Sequence, residues 1–192
     1  KNLEKSWPTV YKWHNKVSDE YSQMTAVKYK HCKISNSVVG ELNTYALFTD
    51  LAYNMLSDNG FLVLIVKSTL VTAPVHQKLW TGLLSDKAVE GVYLFENKNK
   101  IFSIDSRERF IVLIASKEPS DAFKFATGLT EPKMIGISKT ILLTAEDLSK
   151  INPFTSTIPN VRHNEEIAFL KDSHNRFKLF SEVYPECRFG RL

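Results

Sequence analysis

Two unbroken apolar runs constrain the fold of this chain more than any other feature. The run "FLVLIV" occupies residues 61 to 66, between a glycine and Lys67-Ser68, and "RFIVLIAS" occupies residues 109 to 116. Unbroken runs of this length are typical of strands covered on both faces, as in parallel sheets. A third run, "VYLF" at residues 92 to 95, has no helix-length segment between it and "RFIVLIAS". We therefore expect these last two strands to be antiparallel neighbours joined by a long hairpin.

Helical patterns precede the predicted strands at residues 61 to 66 and 92 to 95. The segment that ends at Asp58-Asn59-Gly60 predicts a helix whose buried stripe contains Leu42, Tyr45, Leu47, Phe48, Leu51, Ala52, Met55 and Leu56. Pro74 opens a second helix in "PVHQKLWTGLLSD". The resulting order predicts an α/β fold, namely the second half of a doubly wound sheet with an antiparallel edge element. Beyond residue 117 we expect one more strand in "AFKFAT" and two helices within irregular chain.

Composition places the chain among ordinary globular proteins. It has 192 residues, of which 43% are hydrophobic and 24% charged, enough for one sizeable core. No apolar run approaches the roughly 20 residues of a membrane span, and no signal peptide is visible, so we expect a cytoplasmic protein. Cys32 and Cys187 lie far apart and suggest neither a disulfide framework nor a zinc site.

The net charge of +4 is concentrated near the start of the chain. Residues 1 to 34 contain seven lysines and three acidic residues, and the following aromatic residues are interleaved with them: Trp7, Tyr11, Trp13, Tyr21 and Tyr29. Such a mixture suits phosphate and base contacts, and an amphipathic helix that buries its aromatic residues explains it equally well.

The stretch "INPFTST" raises the question of adenine methylation. Methylation of an exocyclic amine needs an Asn or Asp side chain and a rigid backbone carbonyl, supplied by an Asp/Asn-Pro-Pro-aromatic stretch after a buried strand. Asn152-Pro153-Phe154 lacks one proline. It follows "TAEDLSK", which predicts a short polar helix capped by Thr144.

Residues 40 to 68 resemble the gamma-type adenine-specific DNA methyltransferases of combined restriction-modification enzymes. In that family this region follows the catalytic tetrapeptide, and "VYLFENKNKIFSIDSRERFIVLIAS" is similar to the family's final strand pair. "INPFTSTIPNVRHNEEIAFLK" is similar to the segment that follows the catalytic domain, so the resemblance implies that Asn152-Pro153-Phe154 is not the catalytic tetrapeptide. The similarity covers most of residues 20 to 175.

The resemblance implies that the chain is the downstream half of a Rossmann-like methyltransferase sheet, with parallel strands plus one antiparallel strand, followed by a mixed, mostly helical connector. It divides into a basic aromatic lead-in (1–34), the C-terminal half of the catalytic domain (35–117) and a connector toward a target-recognition region (118–192). The parent enzyme would use S-adenosylmethionine to methylate adenine N6 in double-stranded DNA. The Gly-rich cofactor loop and the tetrapeptide would lie upstream, in the remainder of the parent polypeptide. We therefore expect this chain alone to be inactive and not to bind the cofactor tightly.

Several residues are candidates for the site. Phe102 matches the family's aromatic residue that stacks on the flipped adenine, although it could equally be a plug on the sheet edge. Asn43, Tyr45 and Phe48 match a helix that forms part of the cofactor wall, although Tyr45 and Phe48 are also typical core residues. Lys67 and Ser68 end a strand at the edge where ligands of such sheets gather, and Ser68 could equally be a helix cap. The cations that could contact DNA phosphates are Lys98, Lys100, Arg107 and Arg109.

Two other functions remain open at this stage. Asp86, a strand, and then Glu96-x-Lys98 resemble the core of magnesium-dependent nucleases, although the pattern is short and degenerate. A non-catalytic DNA-binding or interaction module would account for the basic, aromatic N-terminal segment and the polar helices after residue 140.

Overall fold

The chain forms a five-stranded mixed sheet with helices packed on it. The computed structural model describes residues 43–184 and 186, and in the N-terminal segment residues 5, 8–13, 15, 16 and 19. The strands are β1 (Phe61–Lys67), β2 (Val89–Glu96), β3 (Arg109–Ser116), β4 (Ala122–Leu129) and β5 (Ile141–Thr144). The helices are α1 (Thr44–Asn54), α2 (Thr69–Thr72), α3 (Gln77–Ser85), α4 (Met134–Ile137), α5 (Ala145–Ile151), α6 (Asn164–Arg176) and α7 (Phe180–Val183). Two 3-10 turns cover Pro74–His76 and Asn97–Asn99.

The sheet confirms the predicted strands and their directions. Its order is β1-β3-β2-β4-β5, in which β3 is antiparallel to both β1 and β2, and β2 is parallel to β4. The hairpin between β2 and β3 and the extra strand in "AFKFAT" are both present. We expected the antiparallel strand at an edge of the sheet. β3 instead lies inside the sheet, because both β1 and β2 pair with it.

The prediction that "FLVLIV" is covered on both faces is wrong for the described part of the chain. β1 pairs only with β3 there, and its residues alternate between buried and exposed. Phe61, Val63 and Ile65 form an exposed apolar row, while Leu62 and Val66 enter the core. The strand that is buried almost throughout is β2, because it lies in the middle of the sheet.

The predicted buried stripe of α1 is confirmed only in part. Leu47 is buried, and Tyr45, Ala52 and Leu56 pack partly against the core. Leu42 lies outside the described residues. Phe48, Leu51 and Met55 are exposed, and the buried face contains Ala46, Leu47, Thr49, Asp50 and Tyr53. The spacing of the three exposed residues still matches one helical face. α1 therefore presents an apolar stripe that the described residues leave uncovered, as β1 does with its outer row.

The main core lies between the sheet and the helices around α3. Trp80 is fully buried there, meets Phe123 edge-on with ring centroids 5.9 Å apart, and donates its indole N–H to the carbonyl of Ser156 at 2.8 Å. A smaller apolar cluster consists of Tyr93, Phe95, Phe110, Ala126 and Leu129. The sheet therefore carries packed side chains on two sides in its middle, and the candidate residues of the loop after β2 stand on the smaller cluster.

The C-terminal part extends the same sheet before it turns helical. β5 pairs antiparallel with β4, and α5 begins at Thr144. The Thr144 hydroxyl accepts the N–H of Asp147 at 3.0 Å, and the Asp147 carboxylate accepts the N–H of Thr144 at 2.9 Å. This capping box confirms the predicted short helix. The proposed division at residues 34/35 and 117/118 stays a prediction, and most of the basic lead-in lies outside the described residues.

Candidate functional site

The loop between β2 and β3 is built around one buried amide that sequence reasoning missed. Asn97 is fully buried at the end of β2, and its Nδ2 donates to the carbonyls of Phe102, Ile104 and Asp105 at 3.0, 3.3 and 3.3 Å. Its Oδ1 accepts the backbone N–H of Phe102 at 3.0 Å. A buried polar side chain in a long loop is stable only when its hydrogen bonds are made, and here they fix the loop. The sequence signal was an asparagine directly after an apolar strand.

Phe102 is held in an intermediate position by this loop. Its ring meets Phe110 edge-on with centroids 4.9 Å apart, and Phe110 stacks on Phe95 at 5.0 Å with nearly parallel planes. Phe102 nevertheless remains 38% exposed. The ring therefore rests on an aromatic base and still offers part of its surface outward. Packing as a plug and stacking on a ligand are both compatible with this position.

Phe102 borders a cavity of about 580 Å³ between the loop, β1 and α1. The lining includes Tyr45, Ile65, Lys67, Ile104 and Arg109. The structure therefore brings together three elements that the sequence analysis treated separately: the first helix, the end of the first strand and the aromatic loop. A volume of this size falls in the range of small-molecule sites.

Tyr45 reaches this cavity from α1 through a polar cluster. Its hydroxyl lies 2.7 Å from Thr69 Oγ1 and 2.6 Å from His76 Nε2, and the Tyr45 and His76 rings meet edge-on. Burial lowers the pKa of His76, so the imidazole stays neutral near pH 7. Tyr45 is half-buried and packs partly against the core, so its position combines the two interpretations drawn from the sequence.

The other residues of the expected cofactor wall do not join Tyr45 in this cavity. Asn43 is the N-cap residue of α1 without a side-chain capping bond, and Phe48 is 59% exposed on the apolar stripe. A core role for Phe48 is therefore excluded within the described residues. Ser68 precedes α2 and makes no side-chain capping bond either. Lys67 forms an ion pair with Glu108 at 3.0 Å on the cavity rim.

The candidate phosphate-binding cations separate into two groups. Lys98, Arg107 and Arg109 line a second cavity of about 490 Å³, whose lining also includes Glu96, Ser106 and Arg162. Arg109 is common to both cavities. Lys100 lines neither of them and has a left-handed backbone with φ of 50° after the 3-10 turn. No sequence pattern indicates that Arg162, more than 50 positions after Arg109, would lie beside this group.

The nuclease pattern does not form a metal site in the structure. Asp86 precedes β2 and Glu96 ends it, and the seven steps from Val89 to Glu96 span about 23 Å at roughly 3.3 Å per residue. Both carboxylates also have protein partners, Tyr53 for Asp86 and Lys98 and Arg109 for Glu96. Among the described residues no group of His, Cys, Asp and Glu side chains could hold a metal ion.

Asn152 serves the turn that follows α5. Its side-chain amide donates to the carbonyl of Thr157 at 2.7 Å, and Phe154 is exposed. The motif lies after β5, the last strand of the described chain. This position matches the interpretation of the segment as following the catalytic sheet.

Comparison with known proteins confirms the resemblance at the level of the family. Residues 14–102 match the family model of the Eco57I restriction-modification methylase, so the match extends through α1 and β1 to Phe102. The structure is similar to the type IIG restriction endonuclease BpuSI at 14% sequence identity and a TM-score of 0.40. That similarity covers 49% of this chain and 11% of the BpuSI chain. No curated protein matches the chain. Within its described part, the chain has no helix long and apolar enough to cross a membrane.

Proposed function

We propose that this chain is the downstream part of an S-adenosylmethionine-dependent adenine-N6 DNA methyltransferase of a restriction-modification or phage-defence system. The observation that carries the proposal is the family match over residues 14–102, which contain α1, β1, β2 and the loop up to Phe102. With DNA as its substrate, we expect the enzyme to act in the cytoplasm.

The uncovered apolar surface supports the proposal that an upstream half completes the domain. Two apolar rows are exposed: Phe61, Val63 and Ile65 lie on the face of β1 opposite the core, and the stripe of α1 lies on a helix that packs on β1. The outer edge of β1 has no strand partner among the described residues. An exposed strand edge with an apolar face promotes aggregation unless another segment covers it. We assign this surface to the upstream half of the same methyltransferase domain.

The cavity at Phe102 would receive the target adenine. A base swung out of the duplex loses its stacking neighbours, and an aromatic face can replace them. Phe102 is suited to this because Phe110 and Asn97 hold it while part of its ring stays exposed. The side chain and carbonyl that orient the amine would come from the upstream tetrapeptide.

The methyl donor would be held mainly by the upstream half. S-adenosylmethionine supplies an activated methyl group, and its adenine ring needs an apolar wall. Phe48 offers an exposed aromatic face on α1, and the half-buried Tyr45 lies one turn away on the same helix. With Asn43 they fit part of such a wall. The cations Lys98, Lys100, Arg107 and Arg109 would contact DNA phosphates and fix the position of the duplex.

Methyl transfer by the full-length protein that contains this chain tests the proposal. We expect DNA incubated with that protein and isotope-labelled S-adenosylmethionine to yield labelled N6-methyladenine after digestion to nucleosides. Label on cytosine would support a DNA methyltransferase but would overturn adenine as its target base. The absence of any labelled base, with a folded protein, would overturn the proposal as a whole.

A non-catalytic DNA-binding module is the second candidate function, and the cluster of cations beside the Phe102 loop favours it. The labelling assay separates the two functions, because a binding module would bind DNA but transfer no label to it.

A further inference from the structure

The cavity of about 490 Å³ at the end of β2 collects cations from distant parts of the chain. Lys98 comes from the turn after β2, and Arg107 comes from the loop before β3. Arg109 is the first residue of β3, and Arg162 comes from the segment before α6. These four cations surround a single carboxylate, that of Glu96. A concave surface with this excess of positive charge is suited to an anion.

Glu96 organises the cations. It is only 7% exposed, one of its oxygens accepts a hydrogen bond from Arg109 at 3.0 Å, and the other pairs with Lys98. The hydrogen bond from Lys98, with the charges of Arg109 and Arg162, holds the pKa of Glu96 below its ordinary value although burial opposes this. Glu96 is therefore ionised near pH 7 and fixes two long side chains that would otherwise be mobile.

The fold places Arg162 at this cavity through contacts of its backbone neighbours with β4. Thr127 donates its hydroxyl to the carbonyl of Val161 and its backbone N–H to Asn164 Oδ1, both at 3.2 Å. Gly128 has a φ of +74°, and a Cβ at this position would lie 2.7 Å from the carbonyl oxygen of Arg162. The segment therefore docks against a position that only glycine fits closely.

The four cations differ in how many ion pairs and hydrogen bonds their side chains already make within the protein. Arg107 makes a two-pronged ion pair with Asp105, and Arg109 binds both Glu96 and Asn160. Within the described residues the side chain of Arg162 forms no ion pair, and Arg162 is exposed at the cavity. A guanidinium matches a phosphate group with two parallel hydrogen bonds.

We propose that this cavity binds one phosphate of the DNA backbone, with Arg162 as a direct ligand and Glu96 as the positioning residue for Lys98 and Arg109. The inference rests on the proposed function and adds a residue and an arrangement to it. Because Arg109 lines both cavities, the bound phosphate lies next to the nucleotide whose base enters the Phe102 cavity.

Salt-dependent binding of a short fluorescein-labelled duplex to the full-length protein that contains this chain tests the phosphate contact. Each lost phosphate contact lowers the slope of log affinity against log salt by about 0.9. We expect Arg162→Gln to reduce the slope by about this amount. Lys124→Gln is the matched control, because Lys124 is an exposed cation on β4. Its strand partner is Gly91, near the end of β2 that lies away from the cavity. The slope for Lys124→Gln should equal the slope for the unmodified protein. Equal slopes for Arg162→Gln and the unmodified protein would overturn the contact.

Glu96→Gln separates positioning from charge alone. The substitution makes the cavity more positive, so a purely electrostatic surface would bind DNA more tightly. If Glu96 positions Lys98 and Arg109, affinity falls instead, and the dissociation constant rises at every salt concentration. Tighter or unchanged binding by a folded Glu96→Gln variant would overturn the positioning role.

The result can be distinguished from a failure of the proposed function. No detectable DNA binding by the unmodified full-length protein would overturn the phosphate site, whereas methyl transfer by the same protein is measured separately. A reduced slope for Arg162→Gln, together with a full-length protein that transfers no methyl group, would support the phosphate site and contradict the methyltransferase function.

Discussion

At the residue scale, Asn97 and Phe110 hold the ring of Phe102, and they approach it only after β2 and β3 have paired. The contact of Arg162 with its cavity arises in a similar way, from the pairing of β4 with β2 and the docking of residues 161–164 on β4. The sequence analysis therefore identified Phe102 as a loop residue but not how it is held, and it missed Arg162. Local patterns do not contain such long-range contacts.

Phe102 substitutions separate stacking from packing. Loss of base stacking costs about 1–3 kcal/mol, so Phe102→Ala in the full-length protein should lower the methylation rate roughly 5- to 150-fold, and Phe102→Trp should keep much of it. Because the ring is 38% exposed, the loss of stability should be smaller than the about 3–5 kcal/mol of a fully buried phenylalanine. A fall in melting temperature that tracks the rate across Ala, Leu and Trp, with Leu better than Trp, would contradict the stacking role.

Asn97 substitutions test how the loop is fixed. Asn97→Ala removes the side chain that pairs with three loop carbonyls and one backbone N–H, and a hydrogen bond of this kind contributes about 0.5–1.5 kcal/mol. We expect a clear loss in the free energy of unfolding, measured by urea denaturation. Asn99→Ala, two positions along and exposed, is the control and should change it by no more than about 0.5 kcal/mol. Similar results for the two variants would show that Asn97 does not hold the loop.

At the element scale, the strands were predictable and the coverage of their faces was not. Unbroken apolar runs identified β1 and β3, and the absence of a helix-length segment between β2 and β3 identified their antiparallel hairpin. The same kind of run in β1 was taken to mean two buried faces, but the row of Phe61, Val63 and Ile65 is exposed. An apolar run therefore predicts a strand, but it does not show which faces of that strand the described residues cover.

Val63→Lys tests whether the exposed apolar row of β1 docks on the upstream half. Val63 is 59% exposed and lies outside the Phe102 cavity, so the lysine should leave the fold of this chain almost unchanged. In the full-length protein we expect it to lower the yield of soluble, active enzyme severely, because the charge would be buried against the upstream half. Leu142→Lys on the opposite edge strand β5, at 62% exposure, is the matched control. Equal activity of the two lysine variants would contradict the docking surface.

At the scale of the whole molecule, the buried His76 links stability to pH. Its pKa is lowered in the folded chain, so the unfolded chain binds a proton that the folded chain does not. The stabilisation is therefore complete above the ordinary pKa of about 6.5 and is lost as pH falls toward the folded value, by at most about 1.4 kcal/mol per pH unit. His76→Gln should flatten this part of the curve of melting temperature against pH, whereas His163→Gln at an exposed position should not. A curve unchanged by His76→Gln would contradict the assignment.

Crosslinking at the target base tests the central claim most directly, namely that the Phe102 loop of this chain faces the base that the full-length enzyme methylates. The duplex would carry 5-iodouracil in place of the methylated adenine, since a mismatched base leaves the stack more easily. After irradiation and trypsin digestion, we expect the modified peptide to be residues 101–107, "IFSIDSR", with the adduct on Phe102. Crosslinks found only outside this loop, in an enzyme that still methylates DNA, would contradict the account.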